Sequence, residues 1–210
     1  VSVDRNDCLG KSDCPFYDSC YAVKARKKSQ EADVLITNHS LYALDLSIGG
    51  HVVGPHDHLI IDEAHQVEES FTRAWSASVN SGRFEWLARQ AKNIVKPEDY
   101  DSLSKVEELA HRVTKNMSEH EGRRVHSGSA AALLETFVLA DTRIEKLAHL
   151  IAASNNETRS KQRFIHAADS LLEDIRRIRY FLSGESLLDQ VASIAFNKAK
   201  KLELTISPLN

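Results

Sequence analysis

The chain of 210 residues is 42% hydrophobic and 27% charged with a net charge of −3, the make-up of an ordinary globular protein of one or two domains. No apolar run approaches the ~20 residues a membrane span needs, nothing at its start reads as a signal peptide, and the mild acidity excludes a uniformly basic nucleic-acid coat. Three cysteines, all near the start, are an odd number that favours metal ligation over disulfides. The chain opens on Val1 with those cysteines already under way, and we expect a piece of a longer protein.

Cys8, Cys14 and Cys20 stand in a stretch punctuated by Gly10 and Pro15. Thiolates on loops and turns suit zinc or an iron–sulfur cluster, both of which usually take four ligands. Three buried structural cysteines are the alternative, in a stretch that is polar for a core. Residues 21–28 read as a short basic helix carrying Lys24, Arg26, Lys27 and Lys28. Such a run is either a solvated face or a phosphate contact. Phe16, Tyr17 and Tyr21 either stack on bases or pack around the cysteines.

Ala32-Asp33-Val34-Leu35-Ile36-Thr37 reads as a buried strand, followed by Asn38, His39 and a helical stretch over 40–46. Asn38 and His39 either contact a nucleic-acid backbone or cap that helix. Gly49-Gly50 and Gly54-Pro55 mark turns. Then His58-Leu59-Ile60-Ile61 empties into Asp62-Glu63-Ala64-His65. This second run is too short for a helix and too apolar for a loop, so it reads as a second buried strand, completing a β-α-β crossover. Ligands of parallel sheets bind outside the carboxyl ends of the strands. Asp62 and Glu63 would stand there, where a magnesium-bound nucleotide could meet them. The plainer reading is a charged start to a helix over 66–75, favoured by the helix dipole. Two further alternatives are a divalent-metal hydrolase using His56, His58, Asp62 and His65, and a zinc-stabilised helical adaptor without catalysis.

From Gln66 the texture turns helical. Val67, Phe71 and Trp75 share one face. Ser81 opens a helix striped by Phe84, Leu87, Ala91 and Ile94, and Pro97 starts another striped by Leu103, Val106, Ala110, Val113 and Met117. The polar stretch 118–129 reads as a loop. Leu133, Phe137, Ile144, Leu147 and Ile151 mark one long helix, and Phe164, Ala168, Leu171, Ile175, Ile178 and Leu182 a second. Arg159, Lys161 and Arg163, and Arg176, Arg177 and Arg179, are basic groups with acids close by to pair with. Ala192, Ile194 and Phe196 alternate, as do Leu202, Leu204 and Ile206, so the chain ends in a hairpin before Pro208.

The order Cys8-Leu9-Gly10, Cys14-Pro15-Phe16, Cys20, 32–39 and Asp62-Glu63-Ala64-His65 resembles the iron–sulfur helicases of superfamily 2, most closely the DinG-type branch related to XPD. The resemblance implies a mainly α chain with a small α/β part, a helical Arch-type bundle inserted into a fragment of a RecA-like motor domain. Residues 1–32 would be an incomplete cluster segment, 33–65 the motor fragment with its DEAH box, 66–190 the Arch domain, and 191–210 a hairpin returning to the motor. Four cysteines hold a 4Fe–4S cluster in that family. Three would map onto Cys8, Cys14 and Cys20, the fourth lying upstream. By the same resemblance Asp62 holds Mg²⁺ of ATP, Glu63 acts on the attacking water, and His65 reports the nucleotide state. Single-stranded DNA would pass between motor, cluster segment and Arch, with Lys24, Arg26, Lys27, Lys28, Asn38 and His39 as contacts. The parent would be a cytoplasmic, nucleoid-associated monomer moving 5′ to 3′ in repair or replication. No G-x-x-x-x-G-K-S/T phosphate loop occurs in the sequence, so the chain by itself is expected neither to hydrolyse ATP nor to unwind DNA.

Overall fold

Apolar residues recurring every three or four positions shape most of the chain into helices, and a small antiparallel sheet accompanies them. The computed structural model describes residues 14–47, 49–50, 52–154, 159–186 and 189–209. Two units divide at the Ser76–Ala77 junction. Cys8, Gly10 and His51 lie outside the described residues.

The first unit holds helices α1 (Tyr21–Gln30), α2 (His39–Ser47) and α3 (Val67–Trp75), with a 3₁₀ turn at Ala64–Gln66. Helix α1 buries no residue, and Lys27 and Lys28 in its last turn complement the dipole. Asn38 caps α2, its Oδ1 accepting the Leu41 N–H at 2.8 Å. Glu68 and Glu69 sit in the first turn of α3, and Glu69 pairs with Arg73 one turn on at 2.6 Å. Tyr42 of α2 meets Phe71 of α3 with centroids 6.2 Å apart, and Phe71 stacks on Trp75 at 5.3 Å. This aromatic row joins the two helices.

The two buried strands expected in this unit do not form. Residues 34–38 and 58–61 carry no strand pairing, and their apolar side chains face solvent, Val34 at 80%, Ile36 at 92% and Ile60 at 94% exposure. A strand of four to six residues holds its shape only when a neighbour completes its hydrogen bonds. Every strand pairing among the described residues is antiparallel and lies in the second unit, so the β-α-β crossover is absent as well.

The second unit runs β1 (Ala77–Asn80), α4 (Ser81–Lys92), a 3₁₀ turn at Pro97–Asp99, α5 (Tyr100–Ser118), β2 (Arg124–Val125), α6 (Ala131–Ala152), α7 (Arg159–Leu182), β3 (Gln190–Phe196) and β4 (Leu202–Pro208). The expected stripes are the core: Phe84, Val106, Val113, Met117, Leu133, Phe137, Ile144, Phe164 and Ile175 are all fully buried. Each large apolar side chain so placed contributes about 1.5–3 kcal/mol.

The hairpin β3–β4 is where the alternation put it, but it does not lead into a parallel sheet. The strand order is β1-β4-β3-β2, and β4 pairs with β1 through Ala77 opposite Ile206 and Val79 opposite Leu204. Ala192 and Ile194 of β3 stand opposite Ile206 and Leu204, so one face of the sheet is a continuous apolar layer of the bundle's core. The polar stretch 118–129 also carries structure, since β2 pairs Val125 with Ala192 at the sheet edge.

Ion pairs across helices fix their register. Asp141 of α6 is buried, with Oδ1 at 3.0 Å from Arg176 Nε and Oδ2 on Arg179, while Arg176 also reaches Glu145 at 3.2 Å. Arg83 of α4 donates to Asp174 of α7 at 2.5 Å and to the Ser78 carbonyl of β1 at 2.6 Å. Burial pushes the Asp174 carboxyl above the usual carboxylate range, against the opposing pull of Arg83.

Candidate functional site

The quartet Asp62-Glu63-Ala64-His65 lies between the extended run 58–61 and α3. Asp62 Oδ1 accepts the N–H of Glu63 at 2.9 Å, folding the carboxylate back over the backbone. Glu63 takes the left-handed conformation (φ 49°, ψ 48°), and its carbonyl accepts the Gln66 N–H at 2.9 Å, which starts the 3₁₀ turn. That conformation costs a non-glycine residue about 1–2 kcal/mol. Glu63 Oε2 lies 3.2 Å from His65 Nδ1, with both side chains well exposed. The two acids therefore stand side by side at a sharp bend with no lysine or arginine paired to them among the described residues. Adjacent exposed carboxylates are a donor set suited to magnesium, a hard ion that keeps part of its water shell.

Cys14 and Cys20 are free thiols, both half-buried. A chain of turns joins them, with the Tyr17 N–H on the Cys14 carbonyl at 3.1 Å and the Cys20 N–H on the Tyr17 carbonyl at 3.2 Å. Cys20 is the N-cap of α1. The backbone N–H groups of Val23 and Ala22 draw its thiol below the ordinary cysteine value, with a smaller pull from Arg26. A thiol that loses its proton more readily than an ordinary cysteine suits a metal or cluster ligand, so the chemistry of Cys20 fits. Cys8 is not described, and no group of three His, Cys, Asp or Glu able to hold a metal occurs among the described residues.

The hydrolase ligand set is not assembled. His56 is engaged on both sides, Nδ1 against the Gly54 carbonyl at 3.0 Å and Nε2 against Tyr42 Oη at 3.2 Å. No group of three His, Cys, Asp or Glu able to hold a metal gathers His56, His58, Asp62 and His65 among the described residues.

The basic groups separate into two kinds. Lys24, Arg26, Lys27 and Lys28 are exposed along α1 and make no ion pair among the described residues. Arg176 and Arg179 are committed to Asp141, Arg177 pairs with Glu173 at 2.6 Å, and Lys161 is buried with Nζ on the Ser154 carbonyl at 2.7 Å. Those serve the bundle. Asn38 caps its helix, and His39 is half-buried at the first position of α2. Phe16 and Tyr21 are exposed, and Tyr17 is half-buried.

Asp45 escaped the sequence reading. It is 1% exposed, and its Oδ1 accepts the N–H groups of Val52 at 2.5 Å and Val53 at 3.0 Å. The carboxylate thus pins the loop that leads to the DEAH segment. An acid in an apolar helix just before Gly49-Gly50 was the available signal.

No protein-family model matches the chain. It is similar to the ATP-dependent helicase DinG of Mycobacterium tuberculosis, 36% identical over 97 residues, which is 46% of this chain and 15% of that protein. The ATP-dependent DNA helicase YoaA of Escherichia coli is 38% identical over 93 residues, 42% of this chain and 14% of that protein. YoaA of Haemophilus influenzae is 24% identical over 191 residues, 85% of this chain and 30% of that protein. The chain thus spans less than a third of the length of these relatives. All three relatives are named as ATP-dependent helicases.

Proposed function

We propose that this chain is part of an ATP-dependent DNA helicase that couples ATP hydrolysis to movement along single-stranded DNA and to duplex unwinding, 5′ to 3′, in DNA repair or replication. The observation that carries the reading is the Asp62-Glu63-Ala64-His65 bend, with two exposed acids that no lysine or arginine pairs among the described residues, in a chain similar to proteins named as ATP-dependent helicases.

Bound magnesium would neutralise phosphate charge at this site. Asp62 would hold the ion. Glu63 orients the attacking water and takes its proton. His65, already against Glu63, relays the state of the nucleotide. Cys8, Cys14 and Cys20 would supply three thiolates to a 4Fe–4S cluster, which would serve the parent as a structural or electron-carrying group. Residues 66–190 are the Arch domain, 191–210 the hairpin that returns to the motor, and the parent works as a monomer in the cytoplasm around the nucleoid. Single-stranded DNA contacts Lys24, Arg26, Lys27 and Lys28, which the first unit leaves exposed.

The exposed runs 34–37 and 58–61 fit this reading. Apolar segments of strand length become buried strands once the remaining motor segments pair with them. The chain alone hydrolyses no ATP, because its sequence holds no G-x-x-x-x-G-K-S/T loop. The test is strand separation by the full-length parent on duplexes with a single-stranded tail. Unwinding from a 5′ tail that needs ATP and magnesium is expected. Absence of ATP-dependent unwinding from either tail would refute the reading.

A further inference from the structure

The cations of the second unit fall into two groups. Those on its helices are largely committed: Arg83 to Asp174, Arg112 to Glu135, Arg143 to Glu108, and Arg176 and Arg179 to Asp141. A second group gathers at one end of the sheet. Arg123 and Arg124 lie at β2, and Lys198 and Lys200 in the β3–β4 turn. All four are exposed, and none has an ion-pair partner among the described residues. Glu203, the acid within this ladder, is occupied by Asn80 at 2.9 Å, and Lys201 is taken by Glu85. Glu121, beside Gly122, is the acid nearest to the group in sequence.

The turn that presents the lysines is firmly built. Asn197 Oδ1 accepts the N–H groups of Ala199 at 3.0 Å and Lys201 at 3.1 Å, and the Asn197 carbonyl accepts the Lys200 N–H at 2.9 Å. Lys200 takes the left-handed conformation (φ 55°), which glycine or asparagine adopts more easily. Its side chain is exposed and makes no ion pair among the described residues. Phe196, the last residue of β3, is 58% exposed although its partner Leu202 is buried. Arg124 stands opposite Ser193, and the Gly122 N–H reaches the Ile194 carbonyl at 3.0 Å. Strand spacings put the Arg124 backbone roughly 11 Å from that of Phe196, and strand alternation sets Arg124 on the solvent face of the sheet and Phe196 at the open end of the other.

We propose that this sheet end is a single-stranded nucleic-acid contact, in which Arg123, Arg124, Lys198 and Lys200 hold phosphates while the Phe196 ring stacks on a base. The assignment deepens the helicase reading and rests on it for the nature of the partner. Unpaired cations spaced over several residues suit a phosphate backbone, and an exposed aromatic among them suits a splayed base. Among occupants that cations and an exposed ring suit, single-stranded nucleic acid is the one the proposed helicase function supplies.

The test is fluorescence anisotropy of the 210-residue chain with labelled oligothymidylate and oligouridylate of about 12 nucleotides, within the span one such module covers. Affinity is read across a salt series. Lys198→Gln with Lys200→Gln should weaken binding and reduce the salt slope by about 1.4, at about 0.7 per lost phosphate contact. Phe196→Ala should weaken binding about tenfold with an unchanged slope. Thermal melting like that of the unmodified chain establishes that each variant is folded. The thymidylate and uridylate arms decide between DNA and RNA. No binding by the unmodified chain, or variants that match it in affinity and slope, would overturn the proposal. So would Phe196→Ala binding normally while the lysine variant loses oligonucleotide and anionic vesicles alike. If only the variant with Lys24, Arg26, Lys27 and Lys28 changed to Ala loses binding, the helicase reading stands and the sheet-end assignment falls. If the sheet-end variants lose binding but the full-length protein shows no ATP-dependent unwinding, the reverse holds.

Discussion

Glu63 and His65 are joined across a backbone bend, Oε2 to Nδ1 at 3.2 Å, and that bend exists because Glu63 adopts a left-handed conformation. A side chain one position earlier, Asp62, uses one oxygen to steady the same bend. The result is a pair of carboxylates presented together on a strained turn, at the junction between an extended run and a helix. Strain of this kind persists where surrounding structure holds it, and it concentrates at functional sites.

The register of the two long helices depends on one buried acid. Asp141→Ala removes the carboxylate shared by Arg176 and Arg179, while Arg176 keeps Glu145. The expected loss is about 1.5–3 kcal/mol in chemical denaturation of the chain, the range for hydrogen bonds to a charged group. Glu173→Ala, which breaks the exposed pair with Arg177, is expected to cost less than about 1 kcal/mol. Equal losses from the two would contradict the assignment of Asp141 as the clip between α6 and α7.

Asp45 anchors the loop that precedes the DEAH segment through the amides of Val52 and Val53. Asp45→Ala is expected to destabilise the loop by about 1.5–3 kcal/mol, the range for hydrogen bonds to a charged group. Hydrogen exchange at the Val52 and Val53 amides should accelerate accordingly. Unchanged protection at both would show that the loop is held by something else.

The pH dependence of Asp174 has a definite sign. Burial raises its folded-state pKa above the unfolded value, so its linkage contribution is fully present below the unfolded pKa and is lost as pH rises through the folded one. Compared with Asp174→Asn, the unmodified chain should therefore lose relative stability over a window that opens near the ordinary aspartate value of about 4 and runs upward in pH. Thermal melts of the two proteins across that window read the difference. A gap that widens in favour of the unmodified chain with rising pH would contradict the shift.

The helical part of the fold was legible because burial and periodicity coincide there. Leu133, Phe137, Ile144, Leu147 and Ile151 are buried along one stripe, and Phe164, Leu171, Ile175 and Ile178 along its partner. The short strands were harder, since β2 has only two residues and no period to read. The runs 34–37 and 58–61 failed for a different reason. Their composition is that of strands, but a strand is a property of two segments, and neither run has a neighbour among the described residues. The basic groups on α7 were ambiguous because Asp141, which decides their role, lies 35 and 38 residues away from Arg176 and Arg179. At the DEAH segment the residue types were readable, while the left-handed bend at Glu63 and the capping by Asp62 were not.

The most direct test of the account is magnesium-dependent ATP hydrolysis by the full-length parent carrying Glu63→Gln, with nucleotide binding measured separately. Loss of the proton acceptor should lower hydrolysis at least about a hundredfold while ATP still binds with unchanged affinity. Hydrolysis at the unmodified rate would contradict the role given to the DEAH carboxylates.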